Sequence, residues 1–149
     1  MKCMEELMNY SYEIIHVIGE YMKEIEEQQL KEIFQEHLPY LLQAYNEQVN
    51  FQEGENIQQV VSEYHIVSEF PKADRCRNGD IEIAFAYISY LKRLALVYAQ
   101  VAVEVANPEF RSFLEKGFLK MNNYAYHVWK YAVKKEYRID YIQNDERYA

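Results

Sequence analysis

The sequence predicts an all-α fold, a four-helix bundle made from two helical hairpins. Three observations predict it. Apolar residues recur every three or four positions through four long segments, the spacing of helices that bury one stripe. Turn formers are scarce, with 4 glycines and 3 prolines in 149 residues. The stretch from Asp80 to Tyr137 folds back on itself at Val105-Ala106-Asn107-Pro108. There Asn107 is a good N-cap and Pro108 suits the first helical position, where no intrahelical donor is needed. Half the residues are apolar, enough at this length for one domain with its own core, placed over 1–137 and followed by a tail, 138–149.

The first helix, about 3–25, carries Leu7, Tyr10, Ile14, Val17, Ile18, Tyr21 and Ile25 as its stripe. Glu13, His16, Glu20 and Glu24 lie towards its polar side, and Glu26-Glu27-Gln28 breaks the rhythm. The second helix, about 29–52, buries Leu30, Ile33, Phe34, His37, Leu38, Leu41, Ala44 and Tyr45. Pro39 inside it predicts a kink, or a short first turn before a longer helix.

The connection 53–79 is long for one between adjacent antiparallel helices. Ile57, Val60, Val61 and Tyr64 stand at helical spacing within it, so a short helix is expected. Ser68 to Gly79, with Pro71, Lys72, Arg75 and Arg77, reads as loop. A connection of this length can cross the bundle from end to end. The second and third helices would then run parallel, which is ferritin-like topology.

The third helix, about 80–105, is apolar over most of its circumference. Phe85, Leu96 and Val103 form a second apolar side, which predicts a partner, a homodimer, unless the crossover lies on it. The fourth, about 108–134, buries Phe110, Phe113, Leu114, Gly117, Met121, Tyr124, Val128 and Tyr131. The tail beyond it is charged, carries Tyr141 and Tyr148, and is expected to be half ordered at best. Shifted by 80 residues, Glu24-Ile25 falls on Glu104-Val105, Leu30-Lys31 on Phe110-Arg111, Ile33-Phe34 on Phe113-Leu114, and Leu41 on Met121, as in a duplicated hairpin. Glu24 and Glu104 are expected to meet Lys31 and Arg111 across their turns.

A net charge of −8 argues against sequence-independent nucleic-acid binding. The charge is uneven: residues 1–63 carry 13 acids and 3 bases, residues 64–149 carry 11 acids and 13 bases. That asymmetry suits either a solvated acidic face or contact between unlike faces of neighbouring copies. No run of 18 apolar residues predicts a membrane span, and the start shows no secretory signal. Cys3 and Cys76 match no zinc or redox spacing.

Carboxylate-bridged metal pairs in four-helix bundles need inward glutamates and Glu-x-x-His motifs from paired helices. Glu13-Ile14-Ile15-His16 is the one literal match, and it lies off the apolar stripe. The fourth helix offers Tyr124-x-x-His127 and the second Glu47-x-x-Asn50, while the third has no acid between Glu82 and Glu104. His37 is the exception, mid-face on the apolar side, with Gln48 three turns on. A buried histidine bonded to a tyrosine hydroxyl or a carbonyl is the plainest reading of it, with Gly117 leaving it room. No nucleophilic triad, phosphate-cradling loop or cysteine metal cluster is present. No catalytic, cofactor-binding or metal-binding residue is assigned, and no cofactor.

Asp80-Ile81-Glu82-Ile83-Ala84, then Glu104 to Arg111, then the Asn/His/aromatic helix running into Lys135-Glu136-Tyr137, resembles the spore-coat F family of endospore-forming bacteria. The family tends to end in a Gly-Trp-Tyr-like stop, of which only Tyr137 remains here. The resemblance covers roughly the last 60 residues well and the first half loosely, and it implies a ferritin-like helical fold. It also implies a non-enzymatic structural protein of the spore coat, made in the cytoplasm, with other coat proteins and further copies of itself as partners. Two other readings remain: a metal-binding or oxidative-stress protein with a reduced site around His37, and a bundle holding a small apolar ligand.

Overall fold

The computed structural model describes residues 2–52 and 79–148. Four helices follow one another: α1 Lys2–Glu24, α2 Gln28–Gln52, α3 Asp80–Ala102 and α4 Pro108–Tyr148. Among the described residues there is no strand. The short helix expected around Ile57 to Tyr64, the loop from Ser68 and the thiol of Cys76 lie outside the described residues.

Contacts give each helix its direction. Tyr12 meets Tyr45 and Ser11 meets Gln48, so α1 and α2 form an antiparallel hairpin. Arg93 lies over Tyr10 while Glu26, just past α1, meets Asp80, so α1 and α3 are antiparallel too. The pairs Glu27–Tyr131, His37–Tyr124 and Phe51–Phe110 run α2 and α4 in opposite directions. His37 bonds Tyr87 and Gln48 bonds Tyr98, each pair 50 residues apart. Partners that advance together belong to parallel helices, so α2 and α3 point the same way. Side-by-side packing joins α1 to α2 and α3, and α4 to α2 and α3, leaving α2 and α3 on one diagonal.

The core is the meeting of four stripes, with Leu7, Ile18, Phe34, Leu91, Leu94 and Leu114 all fully buried. Of the two arrangements expected at Pro39, the separate first turn is absent: α2 passes through Pro39 as one helix. Pro39 and Gln35 are both exposed, so the carbonyl that loses its donor faces water. α3 ends at Ala102 rather than near 105, with Val103 as its C-cap. α4 does not stop near 134 to leave a tail: it runs on to Tyr148, and no Gly or Pro after Gly117 interrupts it.

Both hairpin turns are held by side-chain caps. Asn107 Oδ1 accepts from the N–H groups of Glu109 and Phe110, each at 3.0 Å, as the sequence predicts. The first turn is held from a distance instead. α2 has no acid in its own first turn. Asp80, at the start of α3, supplies one: Oδ1 accepts from Glu26 N–H at 3.1 Å and Oδ2 from Glu27 N–H at 2.7 Å. Glu27 in turn accepts from the Tyr131 hydroxyl and pairs with Lys135, both on α4. One end of the bundle is thereby tied across all four helices. Asp80 replaces the expected Glu24–Lys31 lock, and Arg111 pairs with Glu115 at 3.6 Å rather than with Glu104. Gln28 and Pro108, which open α2 and α4, stand 80 residues apart, and Ile25 and Val105 are buried at matching points of the two turns.

Candidate functional site

The inner face of α2 carries two polar residues among aliphatic ones, His37 and Gln48, both with 0% exposure. Helical spacing puts them there: positions 30, 33, 34, 37, 41, 44 and 48 share one stripe, and all are buried. Each reaches across the diagonal to a tyrosine of α3.

His37 Nδ1 lies 2.9 Å from the Tyr87 hydroxyl, and His37 Nε2 lies 3.3 Å from Nδ1 of His127. Tyr124 stacks flat on the imidazole, with centroids 3.6 Å apart and planes at 6°. The edge of Phe34 meets the Tyr87 ring at 4.4 Å. The Lys120 ammonium closes the outer side over the rings of Tyr40 and Tyr124, at 5.5 and 5.8 Å.

The hydrogen bonds order the protons. Tyr87 is fully buried, so its O–H must donate, and the acceptor in reach is His37 Nδ1. His37 then carries its proton on Nε2 and donates to Nδ1 of His127, a half-buried residue. Burial lowers the His37 pKa to about 3, with His127 and the Lys120 charge adding to the effect. The ring is therefore neutral at physiological pH. Burial likewise raises the Tyr87 phenol well above its ordinary value and pushes Tyr40 up to about 12. A neutral histidine with both nitrogens engaged is a poor proton acceptor, so this chain of groups orients side chains rather than moving protons.

Gln48 Nε2 donates to Ser11 Oγ and to the Tyr98 hydroxyl, each at 2.9 Å, while Gln48 Oε1 is buried without a partner. His37 and Gln48 are separated by roughly 16 Å along α2, and each engages its own tyrosine. They do not converge on one pocket, the arrangement a ligand or metal reading of His37 and Gln48 requires. Gly117 does not make room for His37 as the hairpin repeat suggests. A Cβ there would come within 2.4 Å of the Tyr98 ring, so the missing side chain accommodates Tyr98.

The other motifs stay apart. Glu13 is half-buried, its carboxyl raised by burial and lowered in part by Arg93, while His16 is exposed. Glu47 accepts from Gln43, and Asn50 is exposed. Tyr124-x-x-His127 does assemble, but around His37. Among the described residues no group of three or more His, Cys, Asp or Glu could hold a metal ion. Sequence reasoning missed the pairing of His127 with His37. Its one signal was that His127 shares an α4 flank with Tyr124.

α3, its turn and the first three-quarters of α4 make one continuous hairpin, and it supplies Tyr87, Tyr98, Tyr124 and His127 to these contacts. The model of the Coat F domain matches residues 79–139. That segment is similar to the Coat F domain. The match spans less than half of the chain and stops short of α1 and α2, which supply Ser11, His37 and Gln48. No curated protein and no solved structure matches the chain. The hairpin that resembles the Coat F domain thus contributes one half of each diagonal pair, and the N-terminal hairpin contributes the other.

Proposed function

We propose that the chain is a non-enzymatic structural protein of the spore coat, made in the mother-cell cytoplasm and held on the forespore by contact with itself and other coat proteins. The observation that carries this reading is the Coat F domain over residues 79–139. The chemistry of the core supports it: His37 is neutral and hydrogen-bonded at both nitrogens, within a bundle packed around it. We also read the fold as ferritin-like, supported by the parallel α2 and α3 and by hairpin turns at opposite ends. No helix among the described residues is long and apolar enough to cross a membrane, so attachment through protein contacts fits. The test is to extract the coat fraction of purified spores with alkali and detergent and probe it with antibody. Recovery in that fraction supports the reading. Recovery only in the spore core or in the mother-cell supernatant overturns it.

A further inference from the structure

The outer face of the Coat F hairpin carries a stripe of large apolar side chains in water. On α3 and at its C-cap, Leu96 and Val103 are 64% and 72% exposed, and Phe85 joins them. On α4, Leu119 and Tyr126 are 56% and 58% exposed, and Trp129 stacks on Tyr126 with centroids 5.9 Å apart. Helical geometry brings the two sets to one seam. Arg93, against Tyr10, marks the α1 side of α3, and Phe85, Leu96 and Val103 fall on the opposite flank, towards α4. Tyr124 and His127, against His37, mark the α2 side of α4, and Trp129 falls on the flank towards α3. Together these side chains offer on the order of 600 Å² of apolar surface, the upper size of such patches on monomers. One side of a standard interface is roughly 800 Å².

We propose that a second copy of the chain docks on this seam, with the same face, about a two-fold axis. It rests on the reading of the chain as a self-associating structural protein. Charge selects the occupant. Residues 2–52 hold 10 acids and 3 bases, and Glu5, Glu20, Glu24, Glu32 and Glu36 are exposed. That acidic hairpin cannot cover an apolar stripe without stripping water from its carboxylates. The seam carries little charge, and that weakly positive: Arg111 pairs with Glu115, Lys130 lies over the Tyr126 ring at 4.8 Å, and exposed Lys92 stands one turn from Leu96. Pairing the two seams buries apolar surface on both copies and leaves both acidic hairpins outermost, where their repulsion is least. Trp129 and Tyr126 are the residue types that anchor such contacts.

The experiment is sedimentation velocity of the full chain across a hundredfold range of concentration, beside Leu96→Glu, Trp129→Glu and, on the opposite hairpin, Leu42→Glu. The wild-type chain and Leu42→Glu are expected at twice the 18.0 kDa chain mass, and the two seam variants at 18.0 kDa with unchanged helical circular dichroism. If either seam variant loses helicity, Leu96→Gln repeats the test with a neutral, helix-tolerant side chain. A wild-type chain that stays monomeric throughout overturns the proposal, as when another part of the chain covers the seam. So does a dimer that survives the seam substitutions. Recovery from the coat fraction does not depend on either result, so failure of the dimer and failure of the coat reading are separable.

Discussion

The Tyr87 hydroxyl donates to His37 Nδ1 across 2.9 Å, and the same 50-residue separation joins Gln48 to Tyr98 at 2.9 Å. Two buried polar pairs in one register fix how α2 and α3 align along their common direction. A slip of one turn would leave His37, Tyr87, Gln48 and Tyr98 all without their partners, at about 1–3 kcal/mol for each stranded group. His37→Leu is expected to destabilise the chain by about 2–4 kcal/mol in urea denaturation. Adding Tyr87→Phe should recover about 1 kcal/mol, because the double variant strands no hydroxyl. Additive losses would show that the pair is not coupled.

His37 also sets an acid response. Its pKa is about 3 in the folded chain against an ordinary 6.5, so between these values the unfolded state binds the extra proton. Stability from this group is complete above pH 6.5 and falls as the pH drops towards 3, by at most about 1.4 kcal/mol per pH unit. The slope of unfolding free energy against pH between 6 and 4 should be shallower in His37→Leu than in the wild-type chain. Equal slopes would contradict the buried neutral ring.

Glycine content separates two helix positions that look alike in sequence. Gly19 has nothing within 4 Å of a built Cβ, whereas at Gly117 the Tyr98 ring lies 2.4 to 2.8 Å away. Gly19→Ala should stabilise by up to about 1 kcal/mol. Gly117→Ala should destabilise by about 1–3 kcal/mol, since the displaced ring outweighs the gain in helix propensity. Thermal melts of the two variants should move in opposite directions.

Asp80 caps the turn of the other hairpin, with its carboxylate on the N–H groups of Glu26 and Glu27. Asp80→Ala should cost about 1–2 kcal/mol, and Asp80→Asn, which keeps one acceptor, less. Amide hydrogen exchange at Glu26 and Glu27 should quicken in Asp80→Ala, and unchanged protection there would remove the cap from the account.

The helices and their inner faces were legible because periodicity alone decides them. Asn107 was legible because its cap is local, two and three residues from the N–H groups it serves. What sequence could not give was long-range. Asp80 holds a turn 53 and 54 residues away, and His127 meets His37 across 90 residues. Nothing in the local pattern of either residue marks its partner. Gly117 misled for the same reason. The repeat paired it with His37, while the antiparallel course of α3 and α4 brings Tyr98 against it. The end of α4 was misplaced because charge and tyrosine were read as a tail, although neither breaks a helix.

The coat assignment is tested most directly by following the chain, fused to a fluorescent protein, through sporulation in an endospore-forming host. Diffuse mother-cell fluorescence is expected to condense into a shell around the forespore and to stay with the released spore. Fluorescence that remains diffuse in the mother cell, or that enters the forespore interior, would contradict it.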